Sequence, residues 1–518
     1  MHVWASIANL GGEGRIKIVL ISIFVLIYSA FIFRIVVSLL SMNSDMAILI
    51  LFADDILNGN FFLSGWISSG ILFTFTELPF YIIGVLIHEV SNAAFQTAQA
   101  LIFIALSMSA LTLMICMNKN VNLTDVLVFL AFTGFSVTLQ THGGVYTYLF
   151  VICILLSLVL TLPSKKRYLV IMGVLFVLGT MSNSILILTG TIPIAFWVGF
   201  DVIRNGVKAG EERKRIRTVA FVSFVSTAVG VLLERLYVCV GQMVHNEVVF
   251  AGRWRLISIG SGQIWTNLEQ YLLGLMRLSS ADFSGVNIVS IDAMQLGLRF
   301  LYVVYGIVLA VRTLVCFFLG KKIDLISVVL ALGLAFFSVM FIFTGMGGSA
   351  TTIRYIPHAP FVFALLIVKH LKDNDYFSAH LKYVRKILLP GICVFLLSSV
   401  LLAPYSPTKG QHYDLGEFLY KNGLETGMAT FWFAAVTTVN TEQRVHVTAV
   451  TIMNNGVEYW RYYTNTEWFL KEANFVIVQN EDEYNSIIYH LGEPGYLLQH
   501  GTHTIMVFDH DISPFFRN

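Results

Sequence analysis

Long apolar stretches alternate with short polar segments up to residue 404. A helix that crosses a bilayer needs about 20 mostly apolar residues. Eleven stretches satisfy this requirement: 16–41, 92–117, 121–140, 144–162, 168–184, 186–203, 218–241, 292–317, 323–344, 356–371 and 387–404. The first is longer than the core of a signal peptide and is not followed by a small-residue cleavage site, so we expect it to remain as a helix.

The stretch 67–90 is also apolar, but Thr74, Thr76, Glu77, Pro79 and His88 interrupt it. Such interruptions suit a segment that is buried in protein or lies at the interface better than one that faces lipid. Counting it as a span would also invert every later loop. We therefore predict an interfacial or re-entrant segment here.

The pattern changes after residue 404. Segment 405–518 contains thirteen acidic residues against six Lys plus Arg, and its turn signals include Asn-Asn-Gly and Glu-Pro-Gly sequences. Its short strand-like runs are 444–450, 474–479 and 504–508, and its helix-like runs are 413–422 and 482–491. The predicted fold is an all-α polytopic membrane bundle over 1–404, with about eleven transmembrane helices, followed by a small C-terminal α/β domain.

Composition agrees with this organisation and excludes other classes of protein. Hydrophobic residues make up 56% of the chain and charged residues 12%, against roughly a quarter charged in a soluble domain. With a mean hydropathy of +0.75, a water-soluble fold would lack polar side chains to cover its surface. The formal charge of +2 argues against a nucleic-acid partner. The five cysteines show no spacing typical of a disulfide framework or a zinc site.

Lys and Arg are unevenly divided between the two sides that eleven alternating spans define. The side that includes the N-terminus holds twenty of them, whereas the opposite loops hold Arg253, Arg255, Arg277 and Arg354. Because cytoplasmic loops carry an excess of Lys and Arg, we expect a multi-pass protein of the plasma (inner) membrane with a cytoplasmic N-terminus. The C-terminal domain is then extracytoplasmic, as are the two long loops 42–91 and 242–291.

The first outer loop carries five acidic residues and no Lys or Arg. Asp45 follows the first span directly, where a carboxylate stays ionised in partly desolvated surroundings, as a general base or a cation ligand requires. If 45–57 is helical, Asp45 and Asp55 lie about 80° apart around the helix and border one pocket. For Asp54 and Asp55, helix capping or a surface position is the alternative. Glu77, before Pro79, is equally typical of a helix break.

Basic and polar residues mark the other outer loops. Arg354 and Tyr355 follow a Gly- and Thr-rich segment, where a guanidinium can bind a phosphate through two donors. Arg253 and Arg255 flank Trp254 and offer a second cationic pair. For all three arginines, snorkelling to the interface is the alternative. His142 lies at the outer end of a predicted span. It is either a residue that contacts the substrate or a residue of the membrane interface.

These features, in this order, resemble polytopic glycosyltransferases of the GT-C fold, which include protein O-mannosyltransferases and lipid A aminoarabinose transferases. Asp45 occupies the position of the acidic residue after the first span, with Met46 in place of a second acid. Glu77 to Tyr81 resembles a basic-Pro-Pro-Leu segment loosely, lacking the basic residue and one proline. Arg354 and Tyr355, followed by Pro357 and Pro360, resemble an Arg-Tyr-x-x-Pro pattern. The run 54–66 is similar to uncharacterised bacterial members.

The resemblance implies an inverting enzyme that transfers a sugar from a polyprenyl-phosphate donor to a hydroxyl of a glycan, lipid or protein acceptor at the outer face. Asp45 would deprotonate the acceptor. Arg354, assisted by Arg253 or Arg255, would bind the leaving phosphate. Asp54, Asp55, Glu77, His142 and Tyr355 would line the substrate site. A divalent-cation site of Asp45 with Asp54 or Asp55 remains open, but no third ligand follows from spacing.

Two alternatives remain. A transporter or flippase of a lipid-linked saccharide would also be a polytopic bundle, although its polar residues would more usually lie at mid-span. An O-antigen-type polymerase or ligase would use arginines and a histidine in large outer loops, and His245 with Arg253 and Arg255 keeps that reading open.

Overall fold

The computed structural model describes the backbone of most of the chain. The described residues are 12–68, 72–118, 121, 123–133, 147–161, 166–205, 210–241, 244–245, 256–257, 262–283, 285–287, 289–345, 356, 358–373, 407–453 and 456–516. Of the predicted site residues, His142, Arg253, Arg255, Arg354 and Tyr355 lie outside this set, as does predicted span 387–404.

The membrane part is helical. Its helices are α1 (Gly12–Leu39), α2 (Ser44–Leu57), α3 (Leu78–His88), α4 (Asn92–Met117), α5 (Leu123–Thr133), α6 (Thr147–Thr161), α7 (Lys166–Ser182), a π-turn (Ile187–Thr191) continuing into α8 (Ile192–Asn205), α9 (Glu211–Gly241), α10 (Gln263–Leu278), α11 (Ile291–Phe318), α12 (Leu325–Phe343) and α13 (His358–Asp373). Two short strands, β1 (Trp66–Ser68) and β2 (Val244–His245), lie between them.

Ten of the eleven predicted spans overlap a described helix, but fewer of these helices are long enough to cross a membrane. Five are long and apolar enough to cross a membrane, namely Asn92–Met117, Ile187–Asn205, Arg213–Gly241, Leu296–Phe318 and Leu325–Phe343. A sixth is counted if α1 and α2, which meet at 116°, form one broken span. The number eleven is therefore not confirmed, whereas several membrane-spanning helices are compatible with the structure.

The stretch 67–90 forms a turn and the short helix α3, with Pro79 in its first turn. Its 11 residues extend about 16 Å, roughly half of a hydrocarbon core. One face packs inward through Leu78 and Tyr81, while Ile83, Leu86 and Ile87 are exposed. Because the exposed face is apolar as well, this short helix can contact protein on one side and lipid on the other, which is compatible with an interfacial or re-entrant segment.

The C-terminal region combines helices with a six-stranded sheet. Its elements are α14 (Tyr413–Lys421), β3 (Thr426–Thr430), α15 (Phe431–Asn440), β4 (His446–Met453), β5 (Gly456–Tyr459), β6 (Thr464–Asn465), a 3₁₀ turn (Thr466–Leu470), β7 (Phe475–Val478), α16 (Glu481–Leu491), β8 (Tyr496–His500), β9 (His503–Val507) and a second 3₁₀ turn (Ser513–Phe516). The strand order is β5-β4-β3-β7-β9-β8, and β3 runs parallel to β4 and β7. Elements form at each of the five predicted runs, which confirms the α/β character of this region.

The two faces of this sheet belong to different cores. Ala429, Val447 and Ile477 join one continuous core with the helix bundle. Met428 and Val476, their neighbours in the strands, point to the opposite face and pack with α16. The alternation follows from the two-residue period of a strand. Because α15 packs against α2, the sheet is held directly onto the first loop.

Candidate functional site at the first loop

Asp45 lies in the first turn of α2, at a corner built from four segments. Asn43 caps the helix, its Oδ1 accepting a hydrogen bond from Met46 N at 3.1 Å. A carboxylate in this position is stabilised by the positive end of the helix dipole. The side chain is partly buried, so a reacting group can approach it.

Hydrogen bonds from distant segments hold this corner. Thr408 Oγ1 donates to Leu40 O at 2.8 Å, and Gln411 N donates to Met42 O at 2.9 Å. Gln96, near the start of α4, donates to Val37 O at 3.0 Å. The chain that leads into the C-terminal domain therefore fixes the angle at which α2 presents Asp45.

Asp54 and Asp55 lie at the other end of α2. Asp55 Oδ2 accepts hydrogen bonds from Trp66 Nε1 at 2.7 Å and Asn60 Nδ2 at 2.8 Å, and so closes the loop that follows the helix. Asp54 Oδ2 accepts from Gln443 Nε2 of the C-terminal domain at 2.9 Å. The ten residues from Asp45 to Asp55 correspond to about 15 Å along the helix. The expectation that these two carboxylates border one pocket is therefore corrected, because the angle around the helix neglects the rise along it.

Glu77 is completely buried at the start of α3. Its carboxylate accepts a hydrogen bond from the hydroxyl of Thr76. One turn later, the Tyr81 hydroxyl accepts from Gln99 Nε2 of α4 at 2.6 Å. Ser182, at the end of α7, binds the backbone of Phe75 through its hydroxyl at 2.8 Å. The Glu77 segment thus forms a polar junction inside the bundle. That Glu77 contacts substrate stays a prediction.

A three-stranded sheet brings together the three regions that were predicted to share the outer side. β1 of the first loop pairs in parallel with β2, at the start of loop 242–291. On its other side β1 pairs antiparallel with β6 of the C-terminal domain, Trp66 opposite Asn465. His245 is part of β2. These regions are far apart in sequence, so their pairing places all three at one end of the bundle.

The described residues next to Arg255 and those at the start of the segment that leads to Arg354 also adjoin. Leu256, next to Arg255, pairs with Thr344, which precedes the glycine-rich segment before Arg354. Asn267 Nδ2 donates to Thr344 O at 2.9 Å and so anchors α10 to the same place. Tyr148, soon after His142, lies with its hydroxyl 2.8 Å from Nδ1 of His358.

An aromatic cluster connects β1 to the C-terminal domain. Trp66 packs edge-on against Phe52 and Trp468, with ring centroids 4.6 and 4.9 Å apart. Trp468 in turn packs against His446, at 4.9 Å. Burial, together with the positive charge of Lys471 nearby, lowers the pKa of His446 to about 3. Nothing in the sequence around His446 indicates this environment, because only the fold brings Trp468 against its ring.

The low pKa of His446 predicts a pH dependence of stability. Its folded pKa lies below the ordinary value of about 6.5, so below pH 6.5 the unfolded chain binds a proton that the folded chain does not. Stability is then complete above pH 6.5 and is lost as the pH falls toward 3, by about 2 kcal/mol between pH 7 and pH 5. Urea unfolding followed by tryptophan fluorescence at several pH values measures this change in the free energy of unfolding. In His446→Phe the slope over this interval should flatten, and an unchanged slope would contradict the assignment.

No group of three or more His, Cys, Asp or Glu side chains that could hold a metal ion occurs among the described residues. A groove of about 430 Å³ lies between α7 and α9 and is lined by apolar side chains such as Leu169, Val174 and Val222, with Ser226 as its polar member. Such a surface suits an acyl or prenyl chain, not a sugar.

No protein-family model, curated protein or solved structure matches this chain. We therefore infer function from the geometry of the first loop and its neighbours. This region contains the partly buried carboxylate of Asp45 at a fixed helix corner, an α/β domain packed on the loop, and adjoining segments that lead to the basic residues.

Proposed function

We propose that this chain is a polytopic membrane glycosyltransferase of the GT-C type. It transfers a sugar from a polyprenyl-phosphate donor to an acceptor hydroxyl at the outer face of the plasma membrane. The observation that supports this most is the sheet β2-β1-β6, which joins the acidic first loop, loop 242–291 and the C-terminal domain at one end of the bundle. The bias of Lys and Arg assigns that end to the outer side.

The chemistry follows from charge. As the glycosidic bond breaks, the polyprenyl phosphate leaves with additional negative charge, while the attacking hydroxyl must lose its proton. Asp45 is the general base, held by the corner at Asn43. Arg354, with Arg253 or Arg255, binds the phosphate, and Tyr355 and His142 line the same substrate site. Attack from the face opposite to the leaving group inverts the anomeric centre.

The first-loop carboxylates have different tasks in this proposal. Asp54 and Asp55 hold the loop and the C-terminal domain in place through Gln443 and Trp66, and so shape the substrate cavity indirectly. Glu77 fixes the start of the interfacial helix α3. The C-terminal domain covers the site and limits the entry of water, which would otherwise hydrolyse the donor.

The membrane topology is part of the proposal. The shorter apolar helices 148–160 and 168–182 cross the bilayer together with the five long ones, and about eleven spans leave the N-terminus in the cytoplasm. The donor's prenyl chain lies along the outer surface of the bundle, where the apolar groove between α7 and α9 offers a place for it.

A transporter or flippase of a lipid-linked saccharide is the second candidate, favoured by the buried polar pair Tyr148 and His358 within the bundle. Purified protein in detergent, given radiolabelled polyprenyl-phosphate sugar and a cell-envelope fraction as acceptor source, separates the two. Because detergent abolishes compartments, only an enzyme releases free polyprenyl phosphate. We expect that release, and a donor that stays intact would contradict the transferase.

A further inference from the structure

His358 is the first residue of α13 and is buried, with 2% of its surface exposed. Its Nδ1 lies 2.8 Å from the Tyr148 hydroxyl, and the ring of Phe337 packs edge-on against it with centroids 4.9 Å apart. Its other nitrogen, Nε2, is buried and has no hydrogen-bond partner among the residues that the structure describes. Burial of a polar atom without a partner destabilises the fold, so an unsatisfied imidazole nitrogen indicates a ligand position.

The contact with Tyr148 fits a histidine that carries its proton on Nε2. In this tautomer the tyrosine hydroxyl donates to Nδ1, and a neutral imidazole that accepts there has its proton on the other nitrogen. Nε2 is then a hydrogen-bond donor in an interior with little water. A ligand that satisfies this donor must offer an acceptor oxygen. The same position also lies at the N-terminus of the 16-residue helix α13, whose dipole favours an anion.

A partly buried arginine, Arg299, lies on the neighbouring helix α11. α11 and α13 run in parallel: Tyr302 donates to Pro360 O, Gly306 lies against Phe363, and Arg312 contacts His370. Extending this register by one turn toward the N-termini of both helices places Arg299 near the level at which α13 begins. Arg299 is anchored by a hydrogen bond from Nη1 to Ser279 O at 3.1 Å. Arginine inside a transmembrane segment is costly unless it serves a ligand or an internal partner.

We infer that His358 Nε2, Arg299 and the N-terminus of α13 together form a binding site for the phosphoryl group of a membrane lipid. Tyr148 acts as a positioning residue that sets the tautomer of His358. This inference rests on the proposed function, since it assigns the phosphate of the polyprenyl donor to this place. The inference adds His358 and Arg299 to the phosphate site, for which the sequence indicated only the arginines of the outer loops.

Two substitutions at one position isolate the Nε2 donor. Asparagine places its amide near the position of Nδ1, so His358→Asn retains a group for Tyr148 and loses the Nε2 donor. His358→Gln reaches the position of Nε2. We measure binding of undecaprenyl phosphate, and of undecaprenol as the probe without phosphate, to the full-length protein in detergent. His358→Asn should weaken undecaprenyl phosphate binding roughly tenfold to one-hundredfold, and His358→Gln should restore most of it.

The chain offers a matched control at the other end of the same helix pair. Arg312 and His370 also pair an arginine of α11 with a histidine of α13, with Nη1 3.3 Å from Nδ1, but they lie on the predicted cytoplasmic side. Arg299→Gln should weaken undecaprenyl phosphate binding as His358→Asn does, whereas Arg312→Gln and His370→Asn should leave it unchanged. Undecaprenol binding should be the same in all variants.

The outcomes separate this inference from the proposed function. If His358→Asn binds undecaprenyl phosphate as tightly as the wild type while sugar transfer is intact, the phosphate site is wrong and the transferase stands. If the wild type binds undecaprenyl phosphate through His358 but releases none from a sugar donor, the site stands and the transferase is wrong. If the wild type shows no preference for undecaprenyl phosphate over undecaprenol, the phosphate site is wrong.

Discussion

Asp45→Asn is expected to lower the rate of sugar transfer by about a hundredfold to ten-thousandfold, the range that a general base contributes. The substitution keeps the size and hydrogen-bonding capacity of the side chain at the first turn of α2. It removes the negative charge that accepts the proton of the attacking hydroxyl. Release of polyprenyl phosphate under single-turnover conditions measures the effect directly.

The control for Asp45→Asn is Glu89→Gln, which neutralises an exposed carboxylate of the same loop. It should retain wild-type transfer, and both variants should elute from gel filtration and melt like the wild type. Donor binding should also be retained in Asp45→Asn, because the carboxylate acts on the acceptor. Wild-type turnover in Asp45→Asn would remove this residue from the role of base.

Trp66→Ala should produce the largest loss of stability, about 3–5 kcal/mol, typical of a large aromatic residue removed from a packed core. Trp66 is 2% exposed and contacts Phe52, Trp468 and the carboxylate of Asp55. Its loss therefore leaves a cavity and removes a donor from Asp55 at once. Denaturant unfolding in detergent, with limited proteolysis of the C-terminal domain, measures the consequence.

A second tryptophan provides the comparison. Trp432 on α15 is 53% exposed, so Trp432→Ala should change the free energy of unfolding by less than about 1 kcal/mol. If both variants unfold alike, or if the C-terminal domain of Trp66→Ala resists protease as in the wild type, the aromatic cluster does not join the two regions.

The parts of the fold that follow from local pattern were predictable. The apolar run 92–117 coincides with helix α4, and the strand-like run 474–479 contains β7, because periodicity and apolar length are written into neighbouring residues. Segment 431–440 gave no such signal. Its Phe, Trp, Val and Thr residues are typical of strands, yet it forms α15, since packing against α2 overrides the local preference.

Long-range pairing explains most of what the sequence could not predict. β1 and β6 are three and two residues long, and nothing in either segment indicates the other, about four hundred residues away. The role of Asp55 depends on its hydrogen bond with Trp66, where the chain after the helix folds back. A helical wheel shows only the positions within the helix and cannot indicate this contact. His358 was passed over because it follows the more conspicuous Arg354, and Arg299 because it lies within a predicted span.

Photo-crosslinking tests the central claim most directly, that a lipid-linked sugar binds where the first loop meets the entrance of α13. A polyprenyl-phosphate sugar with a photoreactive group on the sugar is bound to the wild-type protein and irradiated, and the labelled peptides are identified by mass spectrometry. The account predicts labels within 42–57 and within the segment that leads into His358, suppressed by excess undecaprenyl phosphate. Labels confined to other parts of the bundle, with neither of these segments modified, would contradict it.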